Sequence, residues 1–163
     1  GLTLNATKTR LIEFGRFAAT TRKRRGQSKP ETFDFLGFTH CCGTDRQGRF
    51  QVTRLTVKKR MRATLEAIRA ELMRRRHESV AIVGKWLSRV VQGYFNYHAV
   101  PGNLYRLAGM RSEIGRAWRQ ALMRRSQRHR LPWHRFSRIA ERFIPTVRNT
   151  HPYPEERFDA SHT

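Results

Sequence analysis

The spacing of hydrophobic positions changes near residue 56. Before it, short apolar runs sit between polar stretches; after it, apolar residues recur every three or four positions. In the first part, Leu2 and Leu4 alternate with Thr3, residues 5–8 read as a turn, and residues 9–14 (TRLIEF) read as a strand closed by Gly15. Residues 17–30 read as a polar, basic loop. Residues 32–38 and 49–56 are two more strand-like runs, and the turn residues 44–48 before the second predict a hairpin.

The second part predicts helices. Thr56 is placed to cap a helix over residues 57–76, with Val57, Met61, Leu65, Ile68 and Leu72 on one stripe. A helix over 79–97 follows, its buried face expected from Val83, Trp86 or Leu87, Val90 and Tyr94. Gly84 and Gly93 lower its propensity but permit close packing. Pro101, Gly102 and Asn103 break the chain before a helix over 104–128, with Leu107, Met110, Ile114, Trp118 and Ala121 in register. Pro132 suits the first turn of a short helix over 133–143. Residues 146–163 are polar and proline-punctuated, an expected extended tail. The fold class is therefore α+β: a small antiparallel β part over 1–56, then a three- to four-helix bundle over 57–145.

Charge adds a partner to this picture. Among 163 residues, 34 are Lys or Arg and 12 are Asp or Glu, a net charge of +22. Such an excess costs folding stability through self-repulsion, and a polyanionic partner is the usual reason to tolerate it. Hydrophobic residues make up 38%, enough for a packed core rather than a disordered basic tail. No apolar run is long enough for a membrane helix and no signal pattern opens the chain. Two adjacent cysteines, Cys41 and Cys42, make no disulfide framework, and a reducing cytoplasm suits them. A metal site is not expected, and His40 reads as a strand residue.

The residues exclude several chemistries. Two-metal nucleotidyl transfer needs paired carboxylates that clamp both ions; no two of Asp34, Asp45 and Asp159 are adjacent, and the one adjacent acidic pair, Glu155 and Glu156, falls in the expected tail. The seven histidines are scattered, and no glycine-rich phosphate loop is present. The basic clusters remain: Arg22, Lys23, Arg24 and Arg25; Arg74, Arg75 and Arg76; Arg124 and Arg125. Acids do not balance them, so phosphate contacts are their expected work.

Two motifs resemble one family. Residues 1–9, GLTLNATKT, followed by residues 33–38, FDFLGF, resemble the end of the palm domain of group II intron reverse transcriptases. There, GLxLxxxKT and FDFLGF follow one another at similar spacing. Residues 86–97, WLSRVVQGYFNY, resemble the maturase-specific region written around W…LRGYxNYY, and residues 151–160, HPYPEERFDA, resemble the end of bacterial members without an endonuclease domain.

The resemblance implies an order of parts. Residues 1–56 would be the end of a palm, 57–145 the thumb or maturase region, and 146–163 a tail; the fingers and catalytic half of the palm would lie upstream. Lys8 would lie beside the incoming triphosphate, where a cation can stabilise the leaving pyrophosphate; an ordinary turn lysine is the other reading. Phe35, Leu36, Gly37 and Phe38 would form the primer-grip hairpin, the glycine permitting close approach of a nucleic-acid backbone; a half-buried strand with a bulged glycine is the alternative. Asn96, Tyr97 and His98 would meet RNA, or the rings would cap the bundle. The implied partners are group II intron RNA and an RNA template with its DNA primer. No cofactor is expected in this chain, while Mg²⁺ is implied for the intact polymerase. The implied function is RNA binding within an RNA-directed DNA polymerase that aids splicing and mobility. The alternatives are a free-standing basic RNA-binding module and a helical DNA-binding factor; against the latter, no short helix-turn-helix spacing stands out.

Overall fold

The computed structural model describes residues 9–45, 47–125 and 130–152. The alternating residues Leu2 to Leu4, the expected turn at 5–8 with Lys8, and the expected tail beyond residue 152 lie outside the described residues. The described fold is mixed α+β, a three-stranded antiparallel sheet accompanied by five helices. It divides into two compact units between Leu55 and Thr56, close to the change in hydrophobic spacing.

In the N-terminal unit, α1 (Ala18–Arg24) precedes β1 (Phe33–Phe35), β2 (Phe38–Thr44) and β3 (Phe50–Thr56). The sheet order is β1-β2-β3. Phe33 pairs with His40, Asp34 with Thr39 and Phe35 with Phe38, so Leu36 and Gly37 alone make the first turn. Both have positive φ, 47° and 82°. That is the twist a two-residue hairpin prefers, although Asn-Gly is its usual sequence. The glycine of FLGF thus serves a tight turn rather than a bulge, and residues 32–38 split into one strand, a turn and the start of the next.

Two expectations for this unit fail. Residues 9–14 are not a strand. Their hydrogen bonds go to side chains and to the segment before β1: Glu13 N–H donates to Glu31 Oε2, and the Arg10 guanidinium donates to Thr32 C=O. Residues 18–24, read as loop, form α1. Only Ala18 of this helix is buried, so no apolar stripe announced it. Salt bridges from Arg22 to Glu13 and Glu31 tether it instead.

The helical unit holds nearly all the described buried apolar side chains. Its helices are α2 (Lys58–Arg74), α3 (Val80–His98), α4 (Leu104–Met123) and α5 (Trp133–Phe143). Ile68 and Leu72 of α2 are buried, and Met61 and Leu65 pack against the same core. On α4, Leu107, Met110, Ile114, Trp118 and Ala121 are all buried, as the periodicity predicts. On α3 the buried row is Val83, Leu87, Val91 and Phe95, while Val90 lies at the surface and Tyr94 is half-buried. The spacing of four running from Val83 through Leu87 wins over the row through Trp86 and Val90. Gly84 permits contact as expected, since a Cβ there would meet the Phe143 ring at 2.5 Å. Gly93 faces open space and serves no packing. Ser79 caps α3, its hydroxyl accepting from Ile82 N–H, and Pro132 sits one residue before α5.

Thr56 does not cap α2. Val57 holds the cap position without a side-chain bond, and Thr56 is fully buried in a polar clasp. Thr56 N–H donates to Asn103 Oδ1 at 3.0 Å, while Asn103 Nδ2 donates to Thr56 Oγ1 at 2.7 Å and to His98 C=O at 2.8 Å. The Arg106 guanidinium donates to Thr56 C=O. A buried amide must find such partners, and these fix the chain where strand gives way to helix. No helix among the described residues is long and apolar enough to cross a membrane.

Candidate nucleic-acid interface

The arginines divide into those that build the fold and those that face outward. Arg111 donates to Ile144 and Pro145 carbonyls, Arg119 to Leu131 C=O, Arg125 to Glu78 C=O and Arg76 to Met73 C=O. These guanidiniums add hydrogen bonds to carbonyls at helix ends and connections, where the regular backbone ladder runs out. Composition alone does not separate such arginines from ligand-binding ones.

The cluster at Arg74, Arg75 and Arg76 is partly of this kind. Glu71 lies between Arg74 and Arg75, and their hydrogen bonds hold its carboxyl down to about 2. Arg75 also reaches Glu78 and lies 5.0 Å over the Trp86 ring. Arg74 is the outward member, its side chain 68% exposed. In the cluster at Arg22 to Arg25, Arg22 and Arg25 pair with Glu13. Lys23 and Arg24 are exposed and make no ion pair among the described residues.

Residues 58–62, KKRMR, contribute cations that lie outside the clusters picked out by sequence. Lys58, Lys59, Arg60 and Arg62 occupy the first turns of α2, are exposed, and make no ion pair among the described residues. No acidic residue stands in that first turn. Four cations near a helix N-terminus oppose its dipole, a cost that a bound polyanion relieves. Arg135, Arg138 and Arg142 form a second exposed row at spacings of three and four on α5. The run KKRMR and the period of the α5 arginines were the signals by which both rows could have been found.

The expected trio at the end of α3 separates. Asn96 and Tyr97 are exposed. Gln92 Nε2 donates to Asn96 Oδ1, and the Asn96 carbonyl accepts from His151 Nε2 at 2.8 Å. His98 is buried, so of the two roles open to its ring, closing the bundle is the one its position fits. Tyr94 and Tyr97 pack on it at 4.2 and 4.8 Å. Its Nδ1 lies 3.3 Å from Thr56 Oγ1. The same hydroxyl accepts from Asn103 Nδ2, so it joins the ring to the clasp. Burial, with Arg60 nearby, brings the imidazole down to about 4. Burial likewise pushes the Tyr94 hydroxyl up to about 12.

At the β1–β2 turn, Phe35 and Leu36 are 59% and 66% exposed while Gly37 and Phe38 are buried. The four motif residues therefore form a hairpin end with two apolar side chains presented outward. A leucine at φ 47° is strained relative to asparagine or glycine. Cross-strand contacts hold the hairpin behind it: Phe33 stacks on His40 at 4.8 Å, and Thr39 Oγ1 donates to Asp34 Oδ1 at 2.6 Å.

Among the described residues, no three His, Cys, Asp or Glu side chains gather as a metal-ligand set. No protein-family model, curated protein or solved structure matches this chain.

Proposed function

We propose that this chain is the RNA-binding C-terminal part of a group II intron reverse transcriptase and maturase, acting in the cytoplasm on intron RNA and on a template–primer duplex. The observation that carries the RNA-binding reading is the row of exposed cations on the first turns of α2, which make no ion pair among the described residues, in a chain of net charge +22. The family assignment rests on the residue motifs at 1–9, 33–38 and 86–97. In this reading the helical unit is the thumb, and the Phe35–Leu36 hairpin end is the primer grip. Exposed Asn96 and Tyr97 supply an amide and a flat ring suited to unstacked loop bases. The cations supply affinity without sequence preference. Maturase action then requires only that the protein bind the folded intron better than its unfolded forms. Mg²⁺ and the nucleotidyl-transfer carboxylates belong to the rest of the polymerase, so this chain alone extends no primer.

The test compares binding to a folded group II intron RNA and to a scrambled RNA of equal length. The Asn96→Ala/Tyr97→Ala variant leaves the buried His98 in place. It is expected to lose preference for the folded intron while keeping affinity for scrambled RNA. A wild-type chain that binds both RNAs equally would support a free-standing basic RNA-binding module instead.

A further inference from the structure

The N-terminal unit contains an open groove of about 780 Å³ whose described lining includes none of residues 33–38. Its volume lies within the range of small-ligand sites. Phe50, Cys42 and Gly43 of the sheet line one part of it, and Phe17, just before α1, lines another. Phe17 is 72% exposed, an aromatic ring left in water where a seven-residue helix begins. Arg16, Lys29 and Arg49 complete the charged part of the lining, which contains no carboxylate. Arg49 is engaged by Asp45, but Arg16 and Lys29 make no ion pair among the described residues. An exposed ring beside two unpaired cations suits a ligand with one flat apolar face and an adjacent anion.

We infer that this groove receives a single unpaired nucleotide of RNA, its base against Phe17 and its phosphate between Arg16 and Lys29. This rests on the RNA-binding reading above and names a point of contact within it. A paired base cannot occupy such a groove, because both of its faces are stacked in the helix. The groove would therefore select bulges and loop bases over duplex, and would do so through stacking rather than through a base-edge code.

The experiment uses the full chain and two RNA stems, one fully paired and one carrying a single bulged adenosine, titrated at about 50 mM salt, where phosphate contacts are strong. Wild type is expected to prefer the bulged stem by about tenfold. Phe17→Ala should remove that preference and leave affinity for the paired stem unchanged, while Tyr105→Ala, which removes another exposed ring, should retain it. The exposure of Phe17 makes loss of folding in its variant unexpected, and circular dichroism of the variant checks this. Equal wild-type affinity for the two stems overturns the inference and leaves the RNA-binding reading standing. A preference that survives Phe17→Ala overturns it as well. Failure to bind either stem overturns both.

Discussion

The two units reach stability by different routes. In the helical unit, four helices bury a continuous apolar core in which Leu87, Val91, Leu107 and Ile114 have no exposed surface. In the N-terminal unit, Ala18 and Phe38 are the buried apolar side chains among the described residues, and polar tethers do much of the remaining work: Arg22 and Arg25 on Glu13, Asp34 on Thr39, Gly15 N–H on Cys42 Sγ. Ion pairs still reached by water contribute little, whereas buried area contributes in proportion to its size. The contrast implies that the helical unit carries the stability of the chain. The N-terminal unit presents groups such as Phe17, Phe35 and Leu36 that a larger core would hide.

The largest effect expected from this contrast is at Trp118, 1% exposed and edge-on to Phe136 and Phe143. Trp118→Ala should cost about 3–5 kcal/mol in chemical denaturation. Phe35→Ala in the sheet should change stability by less than about 0.5 kcal/mol. Similar effects at the two positions would break the comparison.

Two helical glycines sharpen it. Gly84→Ala drives a methyl into the Phe143 ring and should cost roughly 1–3 kcal/mol. Gly93→Ala meets nothing within 4 Å and should stabilise by about 1 kcal/mol. Thermal melts of the two variants should therefore move in opposite directions.

In the N-terminal unit, Leu36→Asn should relieve the positive-φ strain and stabilise the hairpin by about 1 kcal/mol. Hydrogen exchange at the β1–β2 ladder measures it, and faster exchange in the variant would show that the leucine side chain holds the turn in place.

The effect expected to be smallest near neutral pH is the acid response of the Thr56–His98–Asn103 clasp. His98 falls from about 6.5 when unfolded to about 4 when folded. Between those values the unfolded chain binds the extra proton, so this contribution to stability is complete above about pH 6.5 and is lost as pH falls towards 4. Urea midpoints measured across that window should decline less steeply in His98→Gln than in wild type. Equal slopes would place the acid response elsewhere.

The same contrast decides what could be read from sequence. The α4 stripe was legible because Leu107, Met110, Ile114 and Trp118 repeat at the helical period and all meet one core. The stripe on α3 was ambiguous because Val83, Trp86, Leu87, Val90, Val91, Tyr94 and Phe95 offer two adjacent rows, and packing against neighbouring helices selects one. Helix α1 and the irregular 9–14 segment were illegible because long-range side-chain bonds, not periodicity, define them. For the candidate interface, the basic clusters were visible, but local carboxylates and carbonyls take up Arg75, Arg76, Arg111, Arg119 and Arg125. Apart from the Glu71–Arg75 pair at helical spacing, no one-dimensional pattern reports those bonds. Thr56 and Asn103 illustrate the same limit, since they sit 47 residues apart yet complete each other's hydrogen bonds.

The central claim, that exposed cations on a rigid helical unit hold RNA phosphates, is tested most directly by the salt dependence of RNA affinity in the full chain and in a variant with Lys58, Lys59, Arg60 and Arg62 all changed to Gln. The substituted side chains are exposed, so the fold should persist. Log affinity should fall steeply and linearly with log salt in the wild type, and the variant's slope should be shallower by about three, roughly 0.7 for each of the four phosphates no longer neutralised. A variant slope equal to that of the wild type, or wild-type binding indifferent to salt, would contradict the account.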